Sequence, residues 1–265
     1  MTDDSYKAAV VGTNQYGFVV PDGLRWHQGQ LYVADEGGSA VEVFSQENQL
    51  AKLCDANAGI MSPEDLVVDE NGDIYFTDDD AGGLWKIDAG GKTSVLAGKD
   101  QGLFSTEGIA LTPEGKILVG ETRQHEIFSV SKDGTVSVFL GPEYRIKKAE
   151  SMAFDEAGNL YIADNQDDIL YLLDTNRALH RLIERDEKFS PESIVYAQGA
   201  LYLTDSKHAK LCRFSPKDGL KTIAVFGGKL QNVQGITVDE RGSIYVSIQS
   251  DLIEKVGYLI KLSKD

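Results

Sequence analysis

Residues 63–78, PEDLVVDENGDIYFTD, contain a pattern that returns through the whole chain. Two β-rich runs are joined by a turn, in which Asn71 and Gly72 can adopt the positive φ that tight hairpin bends require. Similar segments begin 42 or 43 residues apart. The other five copies begin at Pro21, Thr106, Ala149, Pro191 and Val233. The chain is therefore a sixfold repeat.

Each copy is followed by a polar bend and two further alternating runs, such as LWKID at 84–88 and SVLAG at 94–98. Four antiparallel strands in about 40 to 45 residues make one propeller blade. The sequence therefore predicts an all-β, six-bladed β-propeller with four antiparallel strands per blade, as one domain over residues 1–265. A stacked β-solenoid is the alternative, although its repeats are normally shorter.

The two ends of the repeat series are incomplete in a complementary way. The sixth copy stops after its third run, GYLIKLS at 257–263, while YKAAVVG at 6–12 precedes the first copy. We expect this N-terminal strand to become the fourth strand of the last blade, which removes an exposed sheet edge.

The charge balance excludes several classes of partner. With 42 acidic against 26 basic residues and a net charge of -16, the chain repels nucleic-acid backbones and anionic membrane surfaces. No signal-peptide pattern and no apolar run of roughly 20 residues is present. We expect a cytoplasmic protein that binds neither nucleic acid nor membrane. Cys54 and Cys212 lack a metal-site spacing and are expected to be small buried side chains.

Acidic residues occupy the second position of five copies, and an amide occupies it in the sixth. These residues are Asp22, Glu64, Glu107, Glu150, Glu192 and Gln234. The innermost strand of each blade starts beside the propeller axis, so the six side chains should meet at one channel mouth. Two carboxylates ~5 Å apart repel by roughly 3 kcal/mol at an effective dielectric of ~20. A bound cation, shared protons or inward-leaning basic side chains must compensate.

Oxygen donors of this kind suit a hard divalent cation, with Ca²⁺ the first candidate and Mn²⁺ or Mg²⁺ the alternatives. The predicted metal ligands are Asp22, Glu64, Glu107, Glu150 and Glu192.

A second set of acids closes the second run of each copy. Its members are Asp35, Asp78, Glu121, Asp164 and Asp205, with Ile248 in the sixth copy. Because the two runs are antiparallel, this set lies on the same face as the first. We expect these acids to accept hydrogen bonds from backbone amides rather than to bind a ligand.

The repeats at 63–78 and at 149–164, AESMAFDEAGNLYIAD, resemble the SMP-30/gluconolactonase family of six-bladed propellers and, more loosely, NHL-repeat proteins. This resemblance extends over all six copies. It implies a divalent cation, often calcium, held by a Glu, two Asn and an Asp; those positions carry Asp22, Glu107, Glu150 and Glu192. Each differs from the usual residue type and keeps an oxygen donor. The added negative charge should tighten cation binding and weaken Lewis acidity.

The resemblance also implies hydrolysis of lactones or organophosphate-like esters, with Glu192 as nucleophile or general base. We expect Glu150 or Glu192 to accept the proton of a water molecule. His208 follows the second run of the fifth copy, so it is a further acid–base candidate.

Four further side chains are candidates for substrate contacts at the same mouth. They are Arg123 and His125 in GETRQHEIF at 120–128, Arg145 in GPEYRIKKAE at 141–150, and Gln234. The bases of the second segment either steer an anionic ligand or neutralise Glu150 and its neighbours. An ordinary solvated surface loop is the alternative for each.

Two functions follow from these patterns. The first is a metal-dependent hydrolase of the lactonase or esterase type that acts on a small molecule at the channel mouth. The second is a non-enzymatic binding module for a small ligand or a protein partner. An enzyme needs an open coordination position on the cation and a carboxylate that can act as a base. In a binding module, the coordination positions are filled or these carboxylates are paired with basic side chains.

Overall fold

The computed structural model describes residues 6–45, 49–183, 189–228, 230–250 and 256–264. These residues form six four-stranded antiparallel sheets, and each sheet corresponds to one copy of the repeat. The predicted six-bladed β-propeller with four antiparallel strands per blade is confirmed.

Blades 1 to 3 follow the chain in order, each from its inner to its outer strand. The N-terminal strand, β1 (Tyr6–Thr13), belongs to blade 6. The strands of blades 1 to 3 are β2 (Pro21–His27), β3 (Gln30–Asp35), β4 (Ala40–Phe44), β5 (Leu50–Cys54), β6 (Pro63–Val68), β7 (Ile74–Asp78), β8 (Leu84–Ile87), β9 (Thr93–Ala97), β10 (Thr106–Leu111), β11 (Ile117–Glu121), β12 (Glu126–Val130) and β13 (Val136–Leu140).

Blades 4 to 6 continue in the same way. Their strands are β14 (Ala149–Phe154), β15 (Leu160–Asp164), β16 (Ile169–Leu173), β17 (Leu179–Ile183), β18 (Pro191–Ala197), β19 (Ala200–Asp205), β20 (Lys210–Ser215), β21 (Gly219–Val225), β22 (Leu230–Val238), β23 (Ile244–Ser250) and β24 (Gly257–Lys264). In the part of the chain that the structure describes, short 3₁₀ helices precede four inner strands, at Asn14–Tyr16, Ala56–Ala58, Lys99–Gln101 and Pro142–Tyr144.

The inner hairpins of blades 1 and 5 are closed by two-residue turns. Gln28 and Gly29 have φ of 48° and 82°, and Gln198 and Gly199 have φ of 51° and 73°. Two successive positive φ values define a type I′ turn, whose twist matches that of the flanking strands. These turns are one residue shorter than the others, and the shorter turn keeps the mouth residues of both blades in register.

Apolar side chains pack between the blades rather than within one central core. Each pair of neighbouring blades shares its own cluster of buried residues. Tyrosines that recur in the second strands, among them Tyr75, Tyr161 and Tyr202, lie inside these clusters. Cys54 and Cys212 are buried free thiols, as expected.

The N-terminal strand closes the ring. Blade 6 has the strand order β1-β24-β23-β22, and β1 runs antiparallel to β24, with Tyr6 opposite Lys264 and Thr13 opposite Tyr258. The predicted closure is confirmed. Both chain ends therefore contribute to one sheet, and β24 has no free edge.

Within the described segments, none of the helices has the length and apolar character needed to cross a membrane.

Candidate functional site at the channel mouth

Each inner strand carries a β-bulge at its mouth residue. In blade 2, Pro63 pairs with Asp78 and Leu66 with Phe76, so that Glu64 and Asp65 lie opposite Thr77 alone. The same two-against-one arrangement occurs in the other five blades. A bulge bends its strand and redirects a side chain. The local backbone therefore turns each mouth residue out of the ladder and toward the axis.

Only small residues lie opposite the bulges. They are Ala34, Thr77, Gly120, Ala163, Thr204 and Ser247. A Cβ on Gly120 would collide with the backbone carbonyl of Ala149 in blade 4. The inner strands of neighbouring blades thus approach closely at the mouth, and larger side chains at these positions would separate them.

Hydroxyl groups at three of these positions connect neighbouring blades. Thr204 accepts a hydrogen bond from the Ser193 amide (2.9 Å) and donates one to the carbonyl of Gln234 (2.6 Å) in blade 6. Ser247 donates to the carbonyl of Asp22 (2.6 Å) in blade 1. Thr77 donates to the carbonyl of Glu107 in blade 3. The backbones of three mouth residues are therefore fixed from the preceding blade.

The five predicted carboxylates meet at the channel mouth. They are Asp22, Glu64, Glu107, Glu150 and Glu192, and we call them the carboxylate ring. The cavity that they line has a volume of about 10 Å³. That is the room a single water molecule needs. The ring is thus a small acidic site at the axis.

A lysine ammonium already lies inside the carboxylate ring. Nζ of Lys148 is 3.0 Å from Oε1 of Glu107 and 2.9 Å from Oε2 of Glu150. This Glu150 oxygen is buried. Of the three kinds of compensation that the sequence left open, the inward-leaning basic side chain is present, and it pairs with two of the five acids.

The pKa values of the ring carboxyls are raised, and burial is the largest cause. Burial and the neighbouring acids raise the pKa of Glu107 to about 8 and that of Glu150 to about 7, although Lys148 lowers both. The pKa values of Asp22 and Glu64 also lie well above their ordinary range. Burial alone would lower the pKa of Lys148, but Glu150 and Glu107 hold it above its usual value. A single ammonium therefore leaves the ring short of positive charge.

Glu192 is the best oriented acid of the ring. Its Oε2 accepts hydrogen bonds from the Ser206 hydroxyl (2.5 Å) and from Nδ2 of Asn165 (3.2 Å). Burial raises the pKa of Glu192, and these two hydrogen bonds act in the opposite direction. Two neighbouring groups therefore hold one oxygen of this carboxylate in a defined position.

The sixth position of the ring is occupied by Gln234, which the sequence predicted as a substrate contact. Its side chain is buried, and its Oε1 has no hydrogen-bond partner. A buried amide oxygen without a donor is costly, by about 1 to 3 kcal/mol. This oxygen therefore has unused capacity for a donor or a cation.

The residue types at the carboxylate ring suit a divalent cation, but their positions do not. All the ring ligands are oxygens, and Oε1 of Gln234 at the sixth mouth position lacks a hydrogen bond. Yet within the described ranges, no three acidic, histidine or cysteine side chains are grouped closely enough to hold a metal ion. The proposed ligands are therefore gathered at one mouth without forming a coordination shell, and Lys148 lies between two of them.

The second set of acids binds backbone amides, as expected. Asp35 is fully buried and accepts hydrogen bonds from the amides of Val19 (2.8 Å), Val20 (2.6 Å) and Gly38 (3.2 Å). Asp78, Glu121, Asp164 and Asp205 make equivalent bonds. Each carboxylate joins the segment that enters its blade to the loop after its second strand. These acids shape the mouth and do not line the cavity.

The basic and histidine candidates do not line the cavity. Arg123, His125 and Arg145 are exposed. Nδ1 of His125 lies 2.7 Å from the carbonyl oxygen of Lys147. Nδ1 of His208 lies 2.9 Å from Oδ1 of Asp205. The two histidines therefore contact the loops around the mouth, and their predicted roles in substrate binding or catalysis remain predictions.

Lys148 is one of the basic residues in 141–150 that the sequence offered as a neutralising partner of Glu150, but the sequence did not show which of them enters the ring. The position two residues before each mouth residue carries Ser in three blades, and Lys occurs there only in blade 4. The six residues are Val20, Ser62, Ser105, Lys148, Ser190 and Asn232. Ser62 donates a hydrogen bond to Oε1 of Glu64 (3.0 Å), so this position faces the ring in blade 2 as well. That contrast within the repeat was the available signal.

Two wider clefts, of 320 and 530 Å³, open at the hairpins on the opposite face. None of the ring carboxylates lines them. Clustered carboxyls with raised pKa values indicate a chemical site more strongly than a large cleft volume does. The channel mouth is therefore the stronger candidate.

Comparisons with known proteins agree with this architecture. Residues 42–87 match the family model described as strictosidine synthase-like, N-terminal. The match covers the outer half of blade 1 and the first three strands of blade 2. A search of curated protein sequences finds no match.

Several solved structures have the same fold at low sequence identity. A gluconolactonase from Xanthomonas campestris is 14% identical, with a TM-score of 0.80 over 100% of this chain and 91% of that chain. The calcium-binding protein regucalcin from Agrobacterium tumefaciens is 13% identical, with a TM-score of 0.73 over 98% and 96%. A virginiamycin B lyase from Staphylococcus aureus is 13% identical, with a TM-score of 0.69 over 98% and 100%. The predicted resemblance to gluconolactonase-like propellers is confirmed at the level of the fold.

Proposed function

We propose that this protein is a hydrolase of the lactonase or esterase type, and that its reaction takes place at the carboxylate ring. The observation that carries the proposal is the meeting of five carboxyls, all at least partly buried, at one small cavity, with the pKa of Glu150 raised to about 7. A carboxylate with a pKa near neutrality is an efficient general base. Structural similarity to a gluconolactonase and a lyase supports an enzyme, although one fold hosts many activities.

The chemistry requires one base and one fixed carboxylate. A water molecule adds to the ester carbonyl while Glu150 or Glu192 accepts its proton. The carbon–oxygen single bond of the substrate ester or lactone then breaks, and the proton passes to the oxygen atom that leaves. Ser206 and Asn165 orient Glu192, while Lys148 lies beside Glu150, so the two carboxylates differ in environment. Such a difference allows two acids to take different roles.

A divalent cation at the ring is part of the proposal, with Ca²⁺ first and Mn²⁺ or Mg²⁺ as alternatives. The residues that would hold it are Asp22, Glu64, Glu107, Glu150 and Glu192. When bound, it would polarise the substrate carbonyl as a Lewis acid. The presence of a calcium-binding protein among the structurally similar proteins supports this choice. We propose a small neutral substrate and a cytoplasmic location, with neither nucleic acid nor membrane as a partner.

The test combines cation titration with turnover of a lactone and aryl-ester panel. Chelator-stripped protein is titrated with calcium, manganese and magnesium by calorimetry, and hydrolysis is measured with each cation. We expect one cation to bind and Glu192→Gln to lower kcat by at least ~100-fold without changing the melting temperature. Glu114→Gln, an exposed hairpin acid on the opposite face, is the matched control and should leave turnover unchanged.

The alternative is a non-enzymatic binding module, and one observation favours it. Glu107 and Glu150 are paired with Lys148, so these two acids are partly neutralised within the protein. The sequence offered the basic residues of 141–150 for such pairing, and Lys148 is one of them. If no member of the panel is hydrolysed with any cation, the hydrolase proposal falls and the binding module takes its place.

A further inference from the structure

We propose that Lys148 is an internal counter-ion that competes with a divalent cation for Glu107 and Glu150. The proposal rests on the cation site of the proposed function and concerns how that site is regulated. Nζ of Lys148 lies within 3.0 Å of both carboxylates. A divalent ion bound to the same two acids would lie within a few ångströms of the ammonium and be repelled by it. Cation binding therefore requires the ammonium to leave.

The backbone around Lys148 is fixed from two blades. The amides of Lys147 and Lys148 donate to the two carboxylate oxygens of Asp164, at 2.8 and 3.3 Å. His125, in the loop of blade 3, contacts the carbonyl of Lys147. The amide of Glu150 donates to the carbonyl of Lys148 (2.9 Å). These contacts place Lys148 at the ring through its backbone, so its side chain is delivered to this position by the fold.

The ammonium also has a route out of the ring. The Lys148 side chain is 29% exposed, whereas the side chains of Glu107 and Glu150 are 8% and 13% exposed. Lysine has four rotatable side-chain bonds and three donors that are not bound to one geometry. The side chain can swing toward solvent while its backbone stays bound to Asp164. The inference is that the cation site is closed at rest and opens when Lys148 is displaced.

Neighbouring Lys147 provides a matched control. It has the same charge and adjoins Lys148, but its Nζ is paired with Asp167 at 2.8 Å, outside the ring. Lys147→Met removes one positive charge from the same segment and leaves the ring contacts intact. The general electrostatic effect of losing a lysine is thereby separated from the loss of this particular ammonium.

The experiment measures calcium and manganese affinity by calorimetry for the wild type, Lys148→Met and Lys147→Met. We expect Lys148→Met to bind at least tenfold more tightly than the wild type, and Lys147→Met to match the wild type. The melting temperature gives a second readout. Without metal, Lys148→Met should melt below the wild type, and saturating calcium should raise its melting temperature by more than that of the wild type.

The outcomes separate this inference from the proposed function. If all three proteins bind calcium equally, the competition is wrong and the cation site stands. If neither the wild type nor Lys148→Met binds any divalent cation, both fall. If wild-type binding is tight and Lys148→Met weakens it, the ammonium supports the site, and the inference is overturned.

A measurement on the wild type covers the case in which Lys148→Met does not fold. An amine-reactive reagent is applied in chelator and in saturating calcium, and modification of each lysine is followed by mass spectrometry. We expect the rate at Lys148 to rise severalfold with calcium and the rate at Lys147 to stay constant. An unchanged rate at Lys148 in calcium-saturated protein would overturn the inference.

Discussion

At the scale of single residues, Glu42 is a buried acid whose carboxylate is not compensated by a hydrogen bond. It lies on β4, is fully buried, and neither carboxylate oxygen has a hydrogen-bond partner. Burial and then Asp35 raise its pKa to about 7, and Lys52 acts in the opposite direction. An unpaired buried carboxyl of this kind destabilises the fold when it is ionised.

We predict that Glu42→Leu stabilises the protein and that the gain depends on pH. The folded-state pKa is about 7, against an ordinary value of 4.5. Between pH 4.5 and about 7 the unfolded chain has lost this proton while the folded protein keeps it, so stability falls over that range and levels off above it. The shift corresponds to roughly 3 kcal/mol. Urea unfolding should therefore show Glu42→Leu gaining about that much more at pH 8 than at pH 5.

Glu42→Gln is the control for this prediction because it removes the titration and keeps a polar group of similar size. It should lose the pH dependence and gain less stability than Glu42→Leu. If the difference in the free energy of unfolding between the wild type and Glu42→Leu is constant from pH 5 to pH 8, Glu42 does not titrate in this range.

Individual residues are where the sequence was least informative. Aligned along the repeat, Glu42 corresponds to residues such as Trp85, Phe128 and Tyr171, which are buried, so the acid was visible as an exception to an apolar position. Its lack of a partner was not visible, because that depends on which side chains the next blade brings near. The direction of Lys148 likewise depends on the backbone contacts with Asp164 and His125.

At the scale of secondary-structure elements, hydroxyls opposite the bulges link one blade to the next. Thr204 receives a hydrogen bond from its own blade and donates one to the inner strand of blade 6. The link is fully buried and involves the backbone of a mouth residue. Each such hydroxyl therefore influences both the packing of two sheets and the position of a ring side chain.

We predict that Thr204→Val destabilises the protein by about 1 to 3 kcal/mol, because it leaves a buried amide and a buried carbonyl without their partner. Thr204→Ser retains the hydroxyl and should cost less. Chemical denaturation of the three proteins measures the difference. Equal losses in the valine and serine variants would mean that the methyl packing, rather than the hydrogen bonds, stabilises this junction.

The elements themselves were largely predictable. Alternating apolar residues and turn signals at a 42- or 43-residue period locate the strands, and the spacing between the two acidic positions reflects one hairpin. The bulges were not predicted, since their only trace in the sequence is a small residue opposite each mouth residue. The sequence thus predicted, from the fold, that Asp22, Glu64 and Glu107 converge, but it did not show that a bulge turns each side chain toward the axis.

At the scale of the whole molecule, closure depends on one strand. β1 pairs with β24 over most of its length, and Tyr6 is buried in the cluster between blades 5 and 6. The fold and its closure were predicted because the first and last copies are complementary in strand content. The five carboxylates of the mouth were predicted as well, but which basic side chain enters among them was not, because Lys148 occurs in only one copy of the repeat.

We predict that deletion of residues 1–13 lowers the melting temperature by about 10 °C or more, since it removes a buried aromatic side chain and leaves β24 as a free edge. Size-exclusion chromatography should show self-association through that edge. A synthetic peptide of residues 6–13, YKAAVVGT, added in excess should restore the melting temperature. A deletion variant that melts with the wild type would show that β1 is not needed for closure.

The pairing of β1 with β24 also determines when the protein can be completed during its synthesis. Thr13 leaves the ribosome about 240 residues before the partner strand begins at Gly257. At about 5 to 20 residues per second, β1 waits roughly 10 to 50 s for its partner. Five blades have all their strands by then, whereas the sixth cannot form. Ring closure therefore cannot precede the synthesis of β24, and a nascent chain that stalls before β24 remains an open ring with β1 unpaired.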